Sequence, residues 1–313
     1  MPSPATFWAQ KYARLRYGLV WCAFASMRLI VRLPLSLQLA LGKRAGRLAR
    51  RIARNRSRIA RRNLTACFPA KPQPEIDLLL DEHFAALGAS VVEMAMGWYG
   101  SVRTLRAVAR LEGLEHLEAA LARGRGVILF SAHFTTFELF FPALAPHCPR
   151  LAGMYKVQRN PLMNRVMNTG RSRNFDVLFD KDSVRDMIRE LKRNTVIWYA
   201  SDQSYGGKGA VLIPFFGVPA MTNTAISRIA RATGAAVLPY FCRRHEPGAR
   251  YVATIAAPLA GFPTADAVAD TARLVGVLER FIASCPEQYW WIHQRFKGRP
   301  APLPDLYAPD LAH

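Results

Sequence analysis

The sequence is poor in the features by which most enzyme classes are read. Its five cysteines, Cys22, Cys67, Cys148, Cys242 and Cys285, are scattered through 313 residues and odd in number. Without a C-x-x-C pair or a Cys/His cluster they indicate neither a zinc site nor a disulfide framework, and they read as reduced thiols. There is no Gly-x-Ser-x-Gly, no Walker-type phosphate loop and no complete Gly-x-Gly-x-x-Gly, since Gly124-Arg125-Gly126 stops short. A serine hydrolase, a nucleotide-driven enzyme and a dehydrogenase thereby lose their usual signatures. No internal repeat or Gly/Ser-rich linker divides the chain, so one catalytic domain with an N-terminal extension is expected.

Long apolar runs are lacking as well. Residues 17–27 are uncharged and mostly apolar, but Arg28 and Arg32 follow at once, and a hydrocarbon core requires roughly 20 residues. A short tilted crossing with snorkelling arginines and a helix lying in the interface are both open readings. Ala23-Phe24-Ala25 mimics a signal-peptidase site, yet the apolar run ahead of it is too short for a cleaved signal, so residues 1–42 are read as an uncleaved anchor.

Acid is absent where base is densest. Between Gly42 and Asn63 stand Lys43, Arg44, Arg47, Arg50, Arg51, Arg54, Arg56, Arg58, Arg61 and Arg62 with no acidic residue among them, in a chain of formal charge +21. Leu48, Ile52 and Ile59 interleave at helical spacing, which predicts a basic amphipathic helix and its connection over residues 43–75. Such a helix suits an anionic leaflet, where each basic residue contributes about 1 kcal/mol; a plainly solvated charged face is the alternative. Nucleic acid is not expected, because no zinc finger, helix-turn-helix or RNA-binding aromatic signature accompanies the arginines. Heavier positive charge after the apolar segment keeps the body on the cytoplasmic side if the segment spans.

From residue 76 to 313 the pattern changes to that of a catalytic domain. Candidate strands at 126–130, 151–157, 176–179, 195–200, 236–241 and 251–256 alternate with candidate helices at 135–144, 160–174, 183–193, 222–233 and 265–284. That alternation predicts an α/β fold with a mostly parallel central sheet flanked by helices, with ligands at the carboxyl ends of the strands. His133 ends the first candidate strand, and Glu138 stands about one turn into the helix expected next. A carboxylate beside an imidazole fixes its tautomer and stabilises its charged form, the usual apparatus for deprotonating a hydroxyl. Asp202 also follows a strand directly, so it can share the crevice with His133. A surface histidine and an unrelated helix carboxylate would give the same spacing, so context decides.

The context is a series of blocks. Asn63-Leu64-Thr65-Ala66-Cys67-Phe68-Pro69 lies upstream; Gly170-Arg171, Trp198-Tyr199-Ala200-Ser201-Asp202-Gln203, Ile213-Pro214-Phe215-Phe216-Gly217 and a segment from Pro286 to Lys297 lie downstream. In order and approximate spacing these resemble the signature blocks of the bacterial lipid A biosynthesis acyltransferases, over about residues 8 to 300. The resemblance implies a glycerol-phosphate acyltransferase-like fold, a membrane-associated extension, and a place at the cytoplasmic face of the inner membrane. The donor it implies is a fatty acyl thioester on acyl carrier protein, and the acceptor is a hydroxyl of a hydroxyacyl chain on a lipid A precursor. It implies no metal, nucleotide or covalent acyl-enzyme.

In that scheme His133 removes the hydroxyl proton, Glu138 orients and charges the imidazole, and backbone amides opening the next helix receive the oxyanion. Arg171 is either a helix-face charge or a contact to the thioester or a phosphorylated acceptor. Asp202 and Gln203 are either a turn with a buried organising Asp or substrate contacts. Phe215 and Phe216 wall an acyl-chain pocket or belong to the core. His293, Arg295 and Lys297 alternate, so on an extended segment they share one face, to bind phosphate or to close the domain. The basic surface has a second use in steering an acidic carrier protein. Two other readings stand: a related acyltransferase acting on a lysophospholipid, glycerol phosphate or glycolipid, and a non-enzymatic membrane or nucleic-acid binder.

Overall fold

A computed structural model describes residues 18, 22, 24–158, 160–180, 183–245 and 250–308. Residues 17, 19–21 and 23 of the apolar run lie outside them, and residues 24–30 are helical. After that helical stretch come three helices: α1 (Leu35–Ile52), α2 (Arg54–Cys67) and the long α3 (Gln73–Tyr99). Then follow α4 (Val102–Val108), β1 (Ala109–Glu112), α5 (Leu114–Leu121), β2 (Val127–Ser131), a short α6 (Phe141–Leu144), β3 (Leu151–Tyr155), α7 (Pro161–Arg171), β4 (Val177–Asp180), α8 (Val184–Leu191) and β5 (Val196–Ala200). The remainder is β6 (Ala210–Phe215), β7 (Val218–Asn223), α9 (Ala225–Thr233), β8 (Ala236–His245), β9 (Arg250–Ile255) and α10 (Ala267–Ser284).

Seven strands form one sheet in the order β1-β9-β8-β2-β5-β3-β4, and β6 and β7 form a separate antiparallel pair. Within the large sheet the β8–β9 pair is antiparallel, and the other pairs are parallel. The central strands are continuous apolar runs because both faces are covered: every residue of β2 is buried. Their side chains divide by the strand period of two. Ile128, Phe130, Ile197 and Phe241 enter one core with α2, α9 and α10, and Val127, Leu129, Val196 and Tyr240 enter another on the opposite face.

Two local expectations fail, each for a tertiary reason. The helix expected over 222–233 begins at Ala225, because residues 218–223 pair with β6. The hairpin turns at Phe216 and Gly217, both at positive φ (49° and 77°), the conformation a two-residue turn of matching twist requires. The prolines that hid it, Pro214 and Pro219, sit opposite each other in this two-stranded pair. The helix expected over 135–144 starts as a 3-10 turn at Phe137–Phe140. Phe134 is instead drawn into an antiparallel bridge with Tyr289.

The basic run is divided between two helices. Ala53 breaks it, Leu48 and Ile52 face outward, and Ile59 belongs to the core. Arg47 and Arg50 pair with Asp81, and Arg50 and Arg61 with Asp77, on α3. α1 lies close on α3, since a Cβ on Gly46 would meet the Phe84 carbonyl and one on Gly88 the Gly42 carbonyl. Among the described residues no helix is long and apolar enough to cross a membrane.

Candidate active site

β2 and β5 run parallel with Ser131 opposite Ala200. His133 and Asp202 each lie two residues past that pair, so they leave adjacent strands at the same level. The chain leaving β2 goes to β3, beyond β5, whereas the chain leaving β5 returns as β8 on the other side of β2. Connections that diverge in this way open a crevice at the carboxyl ends of the strands.

In that crevice His133 Nδ1 lies 2.7 Å from Asp202 Oδ1, and the His133 backbone N–H donates to Asp202 Oδ2 at 3.1 Å. Burial works to raise the Asp202 carboxyl, but the His133 charge and the hydrogen bonds from its ring and amide outweigh it and hold the carboxyl below its ordinary value. An ionised carboxylate only accepts, so Nδ1 carries the proton and Nε2 is the nitrogen available to a substrate. The imidazole is 27% exposed and the Asp202 side chain 2%. Beside it Phe137 stacks on Trp198 with ring centres 5.1 Å apart, each ring 6.1 Å from the imidazole.

Glu138, expected to hold the imidazole, is engaged elsewhere. Arg171 Nε donates to Glu138 Oε1 at 2.7 Å, and Trp98 Nε1 donates to Oε2 at 3.1 Å. The reason is the 3-10 turn, which carries Glu138 toward α3 and α7 and leaves the imidazole to the strand-end Asp202. Arg171, expected to contact an anion of the substrate, has its charge answered by Glu138. Gly170 beside it is required by close approach, since a Cβ there would meet the Trp98 indole. Of the amides in this stretch, Phe134 N–H donates to Ala132 O, Thr135 N–H to Gln288 O and Phe137 N–H to Phe134 O.

The segment from Pro286 to Lys297 braces this site. Trp290 N–H donates to His133 O at 3.0 Å and Thr135 N–H to Gln288 O at 2.9 Å, while Tyr289 Oη reaches Asp202 O at 3.4 Å. His293 Nε2 accepts from Ser204 N–H at 3.3 Å, and burial pushes its imidazole down to about 4 against the opposing charge of Asp202. Residues 291–297 form turns and no strand, so the common face expected for His293, Arg295 and Lys297 does not exist. Arg295 is buried and donates to Met221 O and Thr222 Oγ1. Lys297 is exposed and its carbonyl accepts from Ser204 Oγ.

Gln203 is exposed beside the site. Phe215 is fully buried against Tyr289, Trp291 and Phe296, and Phe216 packs on Phe68 and Trp291. These two rings support the bracing segment from beneath. Asn63 holds it from the far side, donating to Trp291 O and His293 O at 2.7 Å each.

Residues 7–298 match the family described as bacterial lipid A biosynthesis acyltransferase. The chain belongs to that family. It is 34% identical over 293 residues to the lipid A biosynthesis lauroyltransferase of Escherichia coli K12, covering 93% of this chain and 95% of that one. Identity to the lipid A biosynthesis palmitoleoyltransferase of the same organism is 33% over 305 residues, 97% and 99% of the two chains. With the myristoyltransferase it is 27% over 285 residues, 91% and 88%. The protein is thus a lipid A biosynthesis acyltransferase.

Sequence reasoning missed several residues of this acyltransferase's site. Trp98 contacts Glu138 from 40 positions away, and no local pattern marks it; the small Gly170 before Arg171 was the available clue. Gln288 and Tyr289 lay inside a block already singled out, but their contacts with the His133 loop depend on tertiary folding.

Proposed function

We propose that this enzyme transfers a fatty acyl group from an acyl carrier protein thioester to a hydroxyl of a hydroxyacyl chain on a lipid A precursor, at the cytoplasmic face of the inner membrane. The observation that carries the reading is the 2.7 Å pairing of His133 Nδ1 with Asp202 at the mouth of the sheet. Nε2 takes the acceptor hydroxyl proton as the oxygen attacks the thioester carbonyl, and Asp202 stabilises the imidazolium that forms. As the new C–O bond forms and the C–S bond breaks, the proton passes from Nε2 to the departing thiolate. Phe137 and Trp198 supply an apolar flank for the reacting chain.

The remaining elements serve delivery. Leu29, Leu33, Leu37, Leu41, Leu48 and Ile52 are exposed along and just ahead of α1, with Arg44 and Arg51 beside them. An apolar row edged by cations suits the boundary of an anionic leaflet. The net charge of +21 favours association with an acidic carrier.

The test is turnover by the purified full chain. Given acyl carrier protein thioester and a lipid A precursor in detergent micelles, it should yield a product heavier by one acyl group and free carrier thiol. A carrier thioester left intact while the coenzyme A thioester is consumed would overturn the donor assignment. Acylation of lysophospholipid in preference to the lipid A precursor would overturn the acceptor.

A further inference from the structure

Gln288 is buried at 1% exposure and has no atom on the reacting groups. Its side chain grips the backbone of one residue of β8: Arg244 N–H donates to Gln288 Oε1 at 2.7 Å, and Gln288 Nε2 donates to Arg244 O at 2.9 Å and to Glu287 Oε1 at 2.7 Å. Its backbone carbonyl meanwhile accepts from Thr135 N–H, and two residues on, Trp290 N–H closes on His133 O. One residue therefore ties the loop that carries the imidazole to the long central strand β8.

The peptide it grips is itself fixed. The Arg244 guanidinium forms an ion pair with Glu93 of α3, with side chains 3% and 0% exposed. His83, nearer the start of α3, meets Glu287 O through Nδ1 at 3.0 Å. Between them these contacts hold residues 287 and 288 from α3 and from β8, so the segment has little freedom to slide along the sheet. Sliding would matter, because the same segment touches both halves of the pair: His133 through Trp290, and Asp202 through the Tyr289 hydroxyl.

We propose that Gln288 is a positioning residue that sets the register of His133 against Asp202 by locking residues 286–290 to the Arg244 peptide. This rests on the reading of His133 and Asp202 as the acid–base pair. A polar side chain in this place has a reason that packing alone does not supply: an apolar side chain of the same size would fill the space but leave the Arg244 N–H and C=O unpaired and the loop untethered. Displacement of a reacting group by about 1 Å costs on the order of 10²-fold in rate.

The test uses the full chain in the micellar acyl-transfer assay, with Gln288→Met, Gln288→Glu and, as a control for lost stability alone, Asp270→Asn. Asp270 lies on α10, and its carboxylate accepts from Ser227 Oγ and Thr264 N–H, neither of which belongs to the His133 loop. Asp202 and His293 face the imidazole, and Arg295 and Tyr289 face Asp202; none of these is altered. Gln288→Met should lower kcat by about 10- to 100-fold, leave KM for the acceptor within about twofold, and move the acid limb of kcat against pH downward as the imidazolium loses its carboxylate. Gln288→Glu keeps the acceptor for Arg244 N–H but sets an oxygen against Arg244 O and Glu287 Oε1, to which Nε2 donates at 2.9 and 2.7 Å, so it should lower kcat and move the acid limb in the same direction as Gln288→Met. Asp270→Asn should lower the melting temperature with an unmoved acid limb.

If Gln288→Glu and any folded Gln288→Met show a wild-type limb and kcat, the positioning role is overturned while the acid–base pair stands. The role is equally overturned if Asp270→Asn shifts the limb as much. An active His133→Ala variant would instead remove the catalytic reading on which the role rests.

Discussion

Asp202 and Glu138 are both acids withdrawn from solvent, with side chains 2% and 5% exposed, and both lie near the loop that leaves β2. Asp202 accepts from an imidazole and an amide; Glu138 accepts from a guanidinium and an indole. The difference lies in what their partners can do. An imidazole changes charge near neutral pH and can pass a proton on, whereas a guanidinium stays charged throughout. The first arrangement is suited to chemistry and the second to holding α3, α7 and the loop after His133 together. Four residues of sequence spacing to His133 favoured Glu138, and the register of two parallel strands favoured Asp202.

Removing each partner in turn separates the two acids. His133→Ala should lower kcat by about 10²–10⁴-fold in a folded protein. Asp202→Asn should come close to that and should also move the acid limb of the pH–rate profile, since the imidazolium loses its counter-charge. A pH profile unchanged in Asp202→Asn would show that the 2.7 Å contact is idle in turnover.

Glu138→Ala should also lose activity, by another route. It strands the Arg171 guanidinium in a site where it is 16% exposed, and breaking a buried pair from one side costs about 3–5 kcal/mol of stability. Its acid limb should stay where it is. The paired variant Glu138→Gln with Arg171→Met should be more stable to denaturant than Glu138→Ala, because the uncompensated charge is gone. An acid limb displaced by Glu138→Ala would return the carboxylate to the imidazole and undo the contrast.

A third buried group sharpens the point that environment, not residue type, assigns the role. Burial pushes His83 down to about 4, with its bond to Glu287 O opposing. Above pH 6.5 the ring is neutral both folded and unfolded. Between pH 6.5 and about 4 the unfolded chain binds a proton that the folded chain refuses, so stability falls as pH is lowered through that window. The loss amounts to about 3 kcal/mol at about 1.4 kcal/mol per unit, measured by denaturant melts at pH 7 and pH 4.5, and His83→Gln should reduce that pH slope.

The smallest effect belongs to the outer face of α1. Ile52→Asp should leave kcat in detergent within about twofold, because Ile52 is 75% exposed and touches neither carboxylate site. Release from anionic vesicles should follow from the lost apolar burial and the added negative charge. Retained vesicle binding would move the membrane contact to another surface.

Much of the fold is legible from the chain because burial on both faces writes itself as uninterrupted apolar runs. β2, β5 and β8 fall where such runs occur. β6 and β7 were obscured by prolines that a two-stranded pair tolerates. β1 is a four-residue edge strand with alternating partial burial, too short to carry a pattern. His133 and Asp202 were both visible as strand-end residues, but their pairing was not, because it depends on β2 and β5 being neighbours in register.

The chain alone thus carries the inventory and the periodicity: a basic N-terminal stretch, alternating strands and helices, and a set of polar residues placed at strand ends. Tertiary structure alone decided which of those residues meet. It turned the expected helix after His133 into a 3-10 turn, gave Glu138 to Arg171 and Trp98, buried Arg295, and brought residues 286–290 onto the His133 loop. The physical reason is that hydrogen bonds and ion pairs act over about 3 Å between atoms whose chain separation runs here from 33 residues (Arg171 to Glu138) to 157 (Trp290 to His133). Such distances are fixed by the packing of the sheet and helices around the site, which no local spacing encodes.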